Sequence, residues 1–82
     1  MMQEMDREMT YETAEQWRQA AMQRDDGVDA AESERRRRMV EEHHRAEGTQ
    51  PDADRLADYE LYIRGKMGLG EYERYLLFKY GP

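Results

Sequence analysis

A chain of 82 residues is long enough for one compact domain and too short for two. Charged residues, at 39%, slightly outnumber hydrophobic ones, at 38%, so little apolar surface is left for a private core; the absence of cysteine excludes a disulfide framework, a thiolate nucleophile and a thiolate zinc site. The net charge of -6 opposes phosphate backbones, and no stretch is apolar for long enough to cross a bilayer, so neither a nucleic-acid nor a membrane role is expected.

Residues 1–10 alternate methionine with charge and offer no branched or aromatic anchor, which predicts a flexible tail. They also lack the basic-then-apolar order of a signal peptide, and together with the missing cysteines this points to the cytoplasm. A single helical domain over 11–82 is expected to follow. Thr13 and Gln16 have capping-box spacing, and Tyr11, Ala14, Trp17 and Ala20 or Ala21 recur at helical intervals, predicting a first helix over about 11–24. Asp25-Asp26-Gly27 ends it, because glycine accepts the left-handed conformation and aspartate competes for backbone donors.

Asp29 with Glu32 opens a second helix over about 30–46. It carries the run Arg35-Arg36-Arg37-Arg38 followed by Glu41 and Glu42, so Arg37–Glu41 and Arg38–Glu42 pairs are expected at a spacing of four. Its apolar content is Ala31, Met39, Val40 and Ala46, so it buries little of its own. Glu47-Gly48 closes it, and Thr49-Gln50-Pro51-Asp52 reads as a turn. Asp52 or Asp54 caps a third helix over about 53–64, with Leu56, Tyr59 and Ile63 as its apolar stripe and Gly65 as its stop. After the connector Lys66–Gly70, Tyr72, Tyr75, Leu76, Leu77, Phe78 and Tyr80 form a fourth helix over about 70–80. Six of the eight aromatic residues lie between Tyr59 and Tyr80, which places the expected core in a hairpin of the last two helices. The fold class is therefore all-α, a small bundle of three to four short helices.

The arginine run spreads through about 300° of a helix and cannot present all four guanidinium groups to one groove, so Arg35 and Arg38 are read as a solvated or protein-contacting face. His43 and His44 point about 100° apart and share a metal poorly, while His43 and Glu47, four apart, make at most a weak chelate. One serine, Ser33, and no glycine-rich turn after a strand argue against nucleophilic catalysis and against a phosphate cradle. Neither an enzyme nor a cofactor is expected. Six tyrosines exceed what so small a core buries, so Tyr59, Tyr62, Tyr72 and Tyr75 divide between core and partner interface.

Over residues 33–80 the order of these features resembles the VbhA-type antitoxins, which inhibit Fic-domain AMP-transferase toxins. The matching elements are the arginine run, Glu47-Gly48 at the helix end, the Pro51-Asp52 turn, the junction Tyr62-Ile63-Arg64-Gly65-Lys66-Met67 and a last amphipathic helix. The family's inhibitory helix carries a Ser or Thr, three arbitrary residues, then Glu and Gly or Asn. The resemblance implies that Glu47 enters the toxin's nucleotide site and pairs with the arginine that would hold the γ-phosphate, with Gly48 following it. His43 stands where the Ser or Thr is expected, and residues 1–30 lie outside the resemblance.

The leading expectation is thus an antitoxin-like inhibitor whose partner is a Fic-domain toxin. The alternative is a non-enzymatic helical adaptor or structural protein of plasmid or phage type, or a homodimer through its tyrosine face.

Overall fold

A computed structural model describes residues 11–82; the expected tail over 1–10 lies outside the described residues. Among these residues the chain is all-helical, with α1 at Ala14–Met22, α2 at Ala30–Glu47, α3 at Ala53–Ile63 and α4 at Leu69–Tyr80, and it has no strand.

The caps explain these limits. Thr13 accepts the Gln16 N–H at 3.1 Å, while the Gln16 side chain takes the Glu12 N–H at 3.0 Å, one residue beyond the expected reciprocal partner. Asp29 accepts from Glu32 N and Asp52 from Arg55 N, each at 2.8 Å, which selects Asp52 over Asp54 as the α3 cap. Gly48, at φ +69°, closes α2 in a Schellman motif: its N–H reaches Arg45 O at 3.1 Å, and the Thr49 N–H reaches His44 O at 2.9 Å.

The core is not confined to the C-terminal hairpin. Trp17 and Ala21 of α1 are buried with Leu61, Met67 and Tyr75, and Tyr11, Ala14, Met22, Tyr72 and Leu76 pack around them. The Trp17 ring meets Tyr75 edge-on at 5.6 Å, stacks on Tyr11 at 5.8 Å and touches Phe78 at 5.7 Å. Its indole N–H donates to Glu71 Oε2 at 2.9 Å, and Arg24 grips both oxygens of that carboxylate at 2.8 and 2.9 Å. The single tryptophan is thus a centre of the fold, joining α1 to α4 through its ring contacts and its indole N–H.

Two further expectations fail at the helix surfaces. Leu56 is half-exposed rather than part of a core stripe, while Ile63 of that stripe is buried as expected, together with Leu61 and Asp58. The connector is not inert: Lys66 and Met67 are buried, with Lys66 bonded to Arg24 O and lying 3.0 Å from Asp26. That contact is made where the α1–α2 and α3–α4 turns cross. A Cβ on Gly27 would stand 2.3 Å from Gly65 O, and Gly65 itself sits at φ +66°, so only glycine permits this approach.

A buried ionic cluster joins three helices. Asp58, with no accessible surface, accepts Tyr75 Oη and Tyr80 Oη at 2.5 Å, Arg18 Nη1 at 2.8 Å and Lys79 Nζ at 2.9 Å. Burial alone would raise its carboxyl, but these four donors outweigh it and hold Asp58 below the ordinary carboxylate range. Asp54 receives Lys79 at 2.6 Å and Arg18 at 2.9 Å, and both ion pairs lower its carboxyl. Every buried side-chain nitrogen and oxygen among the described residues has a hydrogen-bond partner.

Candidate functional site

The helix that carries the sequence-predicted motif differs from the other three. Over its 18 residues α2 contributes no buried side chain. What holds it to α3 is polar, and the arginine run divides as its angular spread requires. Arg36 lies over the Tyr62 ring at 4.6 Å and donates to Tyr62 O at 2.7 Å, while Arg37 pairs with Glu60 at 2.6 Å. The expected Arg37–Glu41 and Arg38–Glu42 pairs do not form. Arg38 reaches back to Glu34 at 3.4 Å and Glu42 binds Arg45, because Glu60 of α3 offers Arg37 a closer carboxylate. Arg35 and Arg38 are exposed, with Arg35 held by Glu32 at 2.6 Å. Those arginines, Arg35 before Arg36, draw the Glu32 carboxyl down to about 2.

At the far end of α2 the motif residues come together. His44 forms the lock: its Nδ1 lies 2.6 Å from Thr49 Oγ1 and its Nε2 lies 2.8 Å from Tyr59 Oη, so one ring fastens both the turn and α3. His43, packed edge-on against His44 at 5.3 Å, faces solvent, and its Nε2 stands 3.7 Å from Glu47 Oε1. Glu47 is the last residue of α2, with its side chain 58% exposed, and no other ion pair or hydrogen bond engages its carboxylate among the described residues. Gly48 provides the left-handed turn directly after it.

The tyrosines named as interface candidates separate. Tyr75 is wholly buried and belongs to the core, which corrects its place among the partner-facing residues, since its hydroxyl is required by Asp58. Tyr62 and Tyr72 stack at 5.8 Å, and burial pushes the Tyr72 phenol up to about 12. Tyr59 is half-buried beneath His44 and Arg55. The tyrosine stripe therefore joins helices, and the outward surface is carried by other side chains.

Two open clefts flank the α2–α3 turn. A polar one of about 370 Å³ is bordered by Glu47, Asp52, Arg55 and Tyr59. A more apolar one of about 410 Å³ is bordered by Val40, Pro51 and Leu56. The Thr49 hydroxyl beside His44 has the spacing of a nucleophile and base, but both clefts are open to water, so no developing charge would be sheltered there. What the arrangement offers is an exposed carboxylate on a capped helix end, at the border of the polar cleft. His43 and Glu47 stand as a pair, and among the described residues no group of three or more His, Cys, Asp or Glu side chains is disposed around a metal position.

The Asp58 cluster and the Trp17–Glu71–Arg24 bridge were not read from the sequence; a lone tryptophan in a chain with few large apolar residues was the available signal for the second. No family model, curated protein or solved structure matches the chain.

Proposed function

We propose that the chain is a non-enzymatic, protein-binding inhibitor of the antitoxin type. It acts in the cytoplasm on a Fic-domain AMP-transferase, and Glu47 is the residue presented to the nucleotide site. The observation that carries this reading is the state of Glu47: its carboxylate projects from a helix end locked by Gly48 and His44, and it holds nothing stronger than His43 at 3.7 Å. Such a group gives up few internal contacts when it pairs with an arginine, and it occupies the space of a γ-phosphate. His43, one turn back on the same face, takes the place of the motif hydroxyl and has a ring nitrogen to offer a partner.

The test is co-expression with a Fic toxin encoded beside this chain. Relief of toxicity and co-purification are expected, and Glu47→Gly is expected to keep the complex while losing inhibition. Absence of both binding and relief contradicts the reading; relief that survives Glu47→Gly contradicts the role of Glu47 alone.

A second reading, a freestanding helical adaptor, is favoured by one observation: the core satisfies its own buried polar groups without a partner. A sharp, concentration-independent thermal transition with no toxin binding supports that alternative.

A further inference from the structure

The outer face of α2 has a charge order that complements itself when reversed. Reading outward from the bond between Arg38 and Met39, Arg35 stands as far to one side as Glu42 stands to the other, and Ala31 is matched by Ala46. On a helix these four residues and Met39 fall in one stripe, opposite the Arg36, Arg37, Val40 and His44 side that meets α3. All five are exposed, with Met39 at 53%, and a shallow depression of about 580 Å³ runs along the stripe past Met39 and Ala46.

We infer that this face is the docking surface for a second copy of the same chain, packed antiparallel along α2 with its two-fold axis at Arg38–Met39. In that arrangement Arg35 of each copy meets Glu42 of the other, giving the ion pair twice. Ala31 of each lies against Ala46 of the other, so that small side chains let the backbones approach at both ends. The two Met39 side chains meet at the axis and fill the irregular gap with their flexible thioethers. Glu34 faces Arg45 of the other copy on the flank. The pairing spans the 18 residues of α2, about 27 Å of helix. The intrahelical pairs Arg35–Glu32 and Arg45–Glu42 exchange partners at small cost, because exposed ion pairs of this kind are worth little.

Charge also selects this face. Each copy carries a net charge of -6, so two copies repel over most of their surface. Arg35, Arg38 and Arg45 offset that charge where Glu34 and Glu42 share the same helix, and like chains approach there with least opposition. This differs from a dimer through the tyrosines, whose rings are spent on contacts between helices of one chain.

The full chain, being free of cysteine, permits a direct test. Met39→Cys is expected to form a disulfide-linked dimer on oxidation, whereas Leu77→Cys, a similarly exposed site on α4, is expected to form no cross-link while still self-associating through α2. In sedimentation velocity, Arg35→Glu and Glu42→Arg are each expected to weaken self-association by about tenfold or more, and the two together are expected to restore it. Helical content by circular dichroism checks that each variant is folded. Wild-type chain that stays monomeric up to about 1 mM overturns the inference. So does cross-linking at Leu77→Cys in preference to Met39→Cys, or a double variant no better than its singles.

Discussion

The unit formed by α1, α3 and α4 and the helix α2 are built on opposite principles. The first buries Trp17, Leu61 and Tyr75 and closes its polar groups around Asp58 and Glu71. The second has no fully buried side chain and attaches through Arg36, Arg37, Ser33 and His44, side chains whose contacts lie partly in water. The difference teaches where the free energy of folding resides and which surface is left open. Contacts that exclude water hold the fold, while a helix held by polar contacts keeps its outer residues uncommitted to the interior.

The sharpest way to break that comparison is to remove its centre. Trp17→Ala is expected to cost about 3–5 kcal/mol, close to the whole stability of a domain of this size, and to leave no cooperative transition in urea denaturation. Asp58→Asn is expected to cost about 3 kcal/mol, because Arg18 and Lys79 lose their shared buried anion, and to lower the melting temperature by about 10 °C or more. Gly27→Ala forces apart the two crossing turns and is expected to cost about 1–3 kcal/mol by the same measurement. On α2 the scale drops. Arg37→Ala, which breaks a half-exposed pair with Glu60, is expected to change stability by less than about 1 kcal/mol.

Acid titration sharpens the same contrast. Hydrogen bonds from Tyr75, Tyr80, Lys79 and Arg18 to Asp58, and from Arg24 and the Trp17 indole N–H to Glu71, outweigh burial and hold both carboxyls below their ordinary values of 3.8 and 4.5. The unfolded chain therefore takes up these protons first as pH falls. Stability from these groups is present in full above about pH 4.5 and is lost progressively as pH descends through their folded values. A melting temperature that is flat from about pH 8 to 5.5 and falls below about 4.5 is expected, with a shallower fall in Asp58→Asn.

Much of this was legible in the chain. Thr13, Asp29, Gly48 and Gly65 mark helix ends through chemistry confined to a few neighbouring residues, and such local signals survive without knowledge of the fold. That the four arginines cannot share one face followed from helical angles alone, and Arg35 and Arg38 are the two left exposed. What escaped was long-range. Nothing in the spacing of Trp17 and Glu71, or of Arg18 and Asp58, says that residues so far apart in the chain will meet. Counting aromatic residues put the core in the last two helices because a count weighs six small contributions above one large ring. Arg37 chose Glu60 over Glu41 for the same reason: propensity within a helix yields to a carboxylate that tertiary packing brings nearer.

The division between a packed unit and an exposed, polar-attached helix is tested most directly by native-state hydrogen exchange on the full chain, at a concentration where it is monomeric. Amides around Leu61 and Tyr75 are expected to exchange through global unfolding, and those from Met39 to His43 at least about tenfold faster, through local opening of α2. Equal protection of α2 and the Trp17 core would contradict the account.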